Sequence, residues 1–240
     1  MSRLRGAALL LLLMALLLAT TTLWLHGPLR SHAAQRAIEH DSAVLAQAKS
    51  ALLAWAALHC AAIDDAAEAA RVRSGELPVP DRHGPGHPGF GVQDANGASL
   101  GRLPWRTLGL PPLRDASGEP LWYAVADRYR DNGTGSLAEP CTDGLVVSPA
   151  PPVAGDCVIA VVLAPGAPRP GQQRDEAADA SAYLESAVVD GRRFDNAARQ
   201  VPFLAGPWPA GDAIQVNDRL VALSWRELAQ SGLAQPCSAP

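Results

Sequence analysis

The feature that most limits what this chain can become is an uncharged apolar block at residues 7–25, AALLLLLMALLLATTTLWL. As a helix rising ~1.5 Å per residue, the block would extend roughly 28 Å, close to the ~30 Å hydrocarbon core of a bilayer. Arg3 and Arg5 are the charges that precede it. Basic residues on the short N-terminal side predict that this side stays in the cytoplasm and that the remainder crosses. Trp24 and His26 fall where an interfacial belt is expected. A cleaved signal peptide is the alternative, but its apolar region runs ~7–15 residues before a small-x-small site. Here the best such site, Ser31-x-Ala33, lies beyond Gly27, Pro28 and Arg30. The block therefore predicts a retained single-pass anchor, and no cysteine stands close enough to it for a lipoprotein.

After residue 25 the pattern changes. Leu45, Ala48, Leu52 and Trp55 recur at spacings of three and four, beside a row through Ile38, Leu45 and Leu52. With abundant alanine this predicts an amphipathic helix over 26–75, with Asp41 as a polar interruption. Gly27-Pro28 predicts a kink at Pro28 between the apolar half and this half. The 21 Gly and 21 Pro among the chain's 240 residues, nearly all of them beyond it, favour long loops over long regular elements. Residues 121–126 (LWYAVA) and 157–163 (CVIAVVL) read as strands, with weaker candidates at 145–147 and 220–223. Residues 225–230 read as a short helix with Ser224 as its cap. The fold class expected is α+β, a long kinked N-terminal helix packed on an antiparallel sheet with long loops.

Charge excludes one class of partner. With 20 Lys+Arg against 24 Asp+Glu the net charge is −4, so no nucleic acid is expected as a partner through bulk positive charge. The four cysteines, Cys60, Cys141, Cys157 and Cys237, would all lie outside the cytoplasm if the anchor crosses, where disulfides persist. Three pairings are possible, and locality favours Cys141–Cys157 with Cys60–Cys237. No C-x-x-C spacing suggests a zinc ribbon.

The opening RG-AALLLLLMALLL resembles the leader of type IV pilins and type II secretion pseudopilins, in which a glycine precedes the processed bond. Further on, AQAKSALLAWAALH, GELPVPD, GRLPWRTLGLPPLRDASGEPLWYAV, VVLAPGAPRPGQ and NDRLVALSWREL resemble a group of bacterial pilin-like proteins over most of the chain. The resemblance implies cleavage between Gly6 and Ala7 by a prepilin peptidase, which places Pro28 where pilins carry a helix-kinking proline. It also implies a plan of cytoplasmic leader (1–6), transmembrane half-helix (7–25), periplasmic amphipathic helix (26–75) and periplasmic globular domain (76–240). Three positions depart from the pattern: Leu11 replaces the family's glutamate at the fifth mature residue, Val79 stands in the LPCPD turn, and Pro120 precedes LWYAV.

A search for catalytic chemistry yields scaffold instead. There is no G-x-S-x-G elbow, P-loop or H-E-x-x-H. His83 and His87 have helical ligand spacing, but the glycines and prolines of HGPGHPG forbid a helix, so they read as loop. Asp127, Asp131 and Asn132 offer hard oxygen ligands without the glycine and terminal glutamate of a calcium loop. Asp81, Asp94 and Asn96 read no differently. Glu185, Asp190, Arg192 and Arg193 read as a solvated face, and Trp105, Trp122 and Trp225 as core. No cofactor, metal or enzymatic activity is expected.

The function expected is that of a minor pilin or pseudopilin: a single-pass protein of the bacterial inner membrane with its C-terminal domain in the periplasm. Its partners would be the inner membrane, the prepilin peptidase and other pilin or pseudopilin subunits of a type IV pilus or type II secretion system. The alternative is a static single-pass envelope protein whose periplasmic domain binds a protein or glycan.

Overall fold

A computed structural model describes residues 2–58, 75–94, 97–131, 144–149, 156–175, 179–210 and 213–230; within the first helix, side chains are described at 12–17 and 32–58. Cys60, Cys141, Cys237, Asn96 and Asn132 lie outside the described residues, as does the part of the expected helix beyond residue 58.

Helix α1 runs from Ser2 to Leu58 as α-helix, through Gly27 and Pro28. The chain divides into two compact units, Met1–His40 and Asp41–Pro240. In the first, the described side chains are exposed or half-buried throughout. In the second, α1 buries Leu45, Ala48, Leu52 and Ala56, a single face at spacings of three and four. Ala56 continues that face in place of Trp55, which is half-buried.

The main sheet has four strands in the order β1-β2-β4-β10, all antiparallel: β1 Leu100–Arg102, β2 Trp122–Val125, β4 Val158–Ala164 and β10 Arg219–Ser224. Its centre is β4, a seven-residue run buried at every position, which is why it reads as continuously apolar rather than alternating. Tyr123, Ile159, Leu163, Leu121 and Leu223 fill the core together with Leu52. Three smaller sheets are present among the described residues of the unit. β3 (Val147–Ser148) pairs in parallel with β7 (Phe203–Leu204). β5 (Ser186–Val189) and β6 (Arg192–Asp195) form an antiparallel hairpin, as do β8 (Trp208–Ala210) and β9 (Ala213–Val216). Helix α2 (Ala180–Tyr183) and helix α3 (Trp225–Gln230) are short. A 3-10 turn occupies Asp127–Tyr129.

The structure corrects two expectations. The plan of a long kinked N-terminal helix packed on one antiparallel sheet does not hold. Among the described residues pairing is spread over four sheets, one of them parallel, because Gly- and Pro-rich connections cut the chain into strands of two to seven residues. Of α1, only the part from Asp41 shares a unit with the strands. The second correction concerns location. Among the described residues no helix is long and apolar enough to cross a membrane, which overturns the single-pass inner-membrane anchor. The described apolar side chains of the 7–25 block are Leu12–Leu17, and six residues rise only about 9 Å.

Candidate functional site

In the Met1–His40 unit the chemistry on offer is apolar surface. Leu12 is 68% exposed, Met14 66%, Leu16 60%, Leu17 60% and Leu13 49%. Polar side chains follow at the described end of the unit, where Gln35 donates to Glu39 one turn on (2.9 Å). Gly6, Ala7 and Pro28 lie within α1, in the part whose side chains are not described.

In the Asp41–Pro240 unit, the segments that carry the pilin-like resemblance meet as a set of hydrogen-bonded hubs. Asp81, the aspartate of LPVPD, is fully buried. Its Oδ2 accepts from the Gly91 amide at 2.6 Å, and its Oδ1 from the His83 amide and ring at 2.8 and 3.0 Å. Its own backbone exchanges two hydrogen bonds with Arg102 of β1. Asp81 thus gathers the His83–Gly91 loop through its carboxylate and ties it to the sheet edge through its backbone. Gly91 has φ +88°, and a Cβ there would overlap the Trp105 indole, so the loop closes only on glycine. His83 and His87 stack in parallel, with centroids 4.0 Å apart. Parallel rings aim their in-plane lone pairs side by side rather than at a common point, and the His87 Nδ1 already accepts from the Gly89 amide at 3.0 Å. Arg82 is paired to Asp94, whose carboxylate raises the guanidinium pKa.

Asp115, from PPLRD, accepts the amides of Ser117, Glu119 and Gly166. Burial raises its pKa against the pull of those amides. Asp41 on α1 accepts the neighbouring Ala116 amide at 2.7 Å and lies 3.5 Å from Arg219. The polar interruption on the helix face is therefore a docking point for the 115–119 turn. Arg174, whose side chain is 4% exposed, donates to the Gly166 and Tyr183 carbonyls.

A third hub joins Glu185 and Asp218, both buried. Asp218 Oδ2 accepts from the Glu185 amide (2.9 Å) and from Asn196 Nδ2 (2.8 Å). Glu185 accepts from Gln172 and from the Asn217 amide. Burial first, and the Glu185 charge second, push the Asp218 pKa well above the carboxylate range. The sequence places Glu185 on a solvated face, so its burial is a correction. Arg192 and Arg193 are exposed as expected, and Asp190 sits at φ +50° in the β5–β6 turn.

The remaining candidates are absorbed in the same way. Asp127 accepts from Ser99 (2.7 Å), Arg130 (3.1 Å) and Arg199, and Asp131 from Gln93 (3.0 Å). Among the described residues, no group of three His, Cys, Asp or Glu is placed to hold a metal ion. Cys157 is buried just before β4. Trp122 is buried, while Trp105 and Trp225 are half-buried. No protein-family model, curated protein or solved structure matches the chain.

Proposed function

We propose that this chain is a non-enzymatic subunit of pilin or pseudopilin type, processed by a prepilin peptidase between Gly6 and Ala7. It joins other such subunits of a type IV pilus or type II secretion pseudopilus through the apolar part of α1. The observation that carries this reading is the cluster of exposed side chains Leu12, Leu13, Met14, Leu16 and Leu17 on one short stretch of helix. Large contiguous apolar patches on a protein mark association sites. Burying one leucine- or methionine-sized side chain yields about 1.5–3 kcal/mol, so even partial coverage by neighbouring helices drives assembly. Among the described residues of the Asp41–Pro240 unit, the buried carboxylates Asp81, Asp115, Glu185 and Asp218 accept from loop and strand-end amides, which suits a scaffold. The glycine before the apolar run, at Gly6, supplies the processing point by resemblance.

Co-expression with a prepilin peptidase and N-terminal sequencing tests the reading. The expected mature chain begins at Ala7, and Gly6→Ser retains Met1. A chain that begins at Met1 with active peptidase present overturns the processing claim. Failure of cysteines placed at positions 13 and 17 to cross-link between subunits overturns the assembly claim.

A further inference from the structure

Two buried carboxyl groups meet where the chain turns from β9 into β10. Asp218 and Glu185 stand within hydrogen-bonding reach of each other. Each also accepts a backbone amide from the other's segment: the Glu185 amide donates to Asp218 Oδ2 at 2.9 Å, and the Asn217 amide to Glu185 Oε2 at 3.0 Å. Asn196 Nδ2 gives Oδ2 a second donor at 2.8 Å, and Gln172 meets Glu185 Oε1 at 3.0 Å. Asp218 Oδ1 is left buried, with no donor among the described residues.

The surrounding charges do not balance two anions. Arg174 lies 3.8 Å from Glu185 Oε1 and is shared with Glu119 at 3.5 Å, so one guanidinium stands against three carboxyl groups. Arg169 is turned to the Gln215 carbonyl, and Arg219, next in the chain, to Asp41 on α1. Asp195, beside Asn196, is paired with Arg193. Gln172, Asn196 and Asn217 carry no charge. Two ionised carboxylates cannot hydrogen-bond, because both only accept, and burying a second anion without a counter-charge costs far more than neutralising it. One proton resolves both problems: it makes an Asp218 oxygen a donor towards Glu185 and leaves a single negative charge beside Arg174. The raised pKa of Asp218, caused by burial and by Glu185, has the direction this requires.

The pair is also where the outer strands converge. Asn196 bonds both main-chain groups of Leu204 in β7, and its own amide donates to the Glu185 carbonyl. The Asp218 carbonyl accepts the Gly206 amide at 2.7 Å. Among the described residues, the apolar cluster that these strands share is small, Ala187, Phe194, Leu204 and Val216, and separate from the core around β4. Elements with so little buried apolar surface open at lower free energy than the sheet beside them.

We propose that Asp218 and Glu185 hold one proton between them, and that its loss to solvent opens β5–β9 locally while the four-stranded sheet stays folded. Once the proton leaves, two adjacent buried anions repel, and opening hydrates both. The same opening uncovers Phe194, Leu204 and Val216, so apolar surface appears only on the alkaline side of the transition. The device lies wholly within the Asp41–Pro240 unit and does not depend on how α1 assembles.

Hydrogen exchange of the full chain, read by mass spectrometry and corrected for the intrinsic effect of pH, tests this. From pH 6 to pH 9, protection over residues 185–189, 203–206 and 213–217 should fall about tenfold or more, while residues 158–164 of β4 change less than about threefold. Asp218→Asn cannot ionise and keeps the acceptor for the Glu185 amide, so it should hold that protection at pH 9. Unchanged protection in the three segments, an equal loss in β4, or the same loss in Asp218→Asn overturns the proposal. Carbon-13 NMR of the side-chain carboxyls in the parent decides the matter if the variant does not fold. One proton should stay on the pair above pH 6 and leave over the range in which protection falls; a pair fully ionised by pH 6 overturns the proposal.

Discussion

The Lys49 ammonium on α1 lies 2.6 Å from the Glu227 carboxylate on α3, and the same ammonium donates to the Ala222 carbonyl of β10 at 2.8 Å. Lys49 is the chain's single lysine. The other Glu227 oxygen accepts the Ser224 amide at 2.9 Å, and Ser224 Oγ accepts the Glu227 amide at 3.3 Å. This reciprocal pair is a capping box at the start of α3. One glutamate therefore starts the helix and anchors it to α1.

Removing the two halves of this arrangement should give unequal losses. Lys49→Met keeps the stem packing but deletes two hydrogen bonds from a part-exposed site, which should cost about 1 kcal/mol. Glu227→Ala removes the ion pair and the cap together, and should cost about 2 kcal/mol. Urea unfolding monitored by circular dichroism measures both; equal losses would show that the cap contributes nothing.

Asp218 supplies a pH dependence. Its folded pKa is raised above the ordinary carboxylate value, so the folded chain keeps a proton that the unfolded chain releases. Stability is full below the ordinary carboxylate range and falls as pH rises towards the folded pKa. Asp218→Asn keeps an acceptor for the Glu185 amide and Asn196 and places an N–H towards Glu185. The variant should therefore be more stable than the parent at pH 8 and differ little at pH 4, as read by urea midpoints. Asp218→Ala, which leaves two buried donors unmet, should lose about 2–4 kcal/mol at either pH.

The sequence made some of this legible. The β-branched and aromatic runs around 122–125 and 158–164 announce the central strands, and Ser224 announces the start of α3. Such signals are local: side-chain shape and a cap three residues from its partner. Glu185 carries no local sign of burial, because the donors that meet its carboxylate are Gln172 and the Asn217 amide, 13 and 32 residues away. The edge strand β1, Leu-Gly-Arg, is too short for a period, and exists because Asp81 holds it from one side and β2 from the other. Asp81 itself reads as a turn aspartate until the loop it gathers is seen closed.

That closure can be tested at Gly91. An alanine there would adopt a left-handed φ of +88° and press its Cβ into the Trp105 indole. The backbone strain costs about 1–2 kcal/mol, and displacing the indole adds about 1–3 kcal/mol of overpacking. Gly91→Ala should lower stability by roughly 2–5 kcal/mol and speed amide exchange at Phe90 and Val92, with exchange at the β4 amides changed much less. An unchanged melting temperature would mean that the loop does not close on Trp105.

The exposed apolar side chains of α1 give a prediction independent of the folded core. Leu12 and Leu16 are one helical turn apart, so Leu12→Glu with Leu16→Glu places two charges on one face. Burying either charge between subunits would cost far more than apolar packing there contributes, unless a partner cation met it. The double variant should sediment as a monomer under conditions where the parent associates. Because these residues belong to the Met1–His40 unit, the unfolding free energy of the Asp41–Pro240 unit should stay within about 0.5 kcal/mol of the parent. If the variant associates as strongly as the parent, the apolar stretch of α1 is not the assembly surface, and the subunit reading loses the observation it stands on.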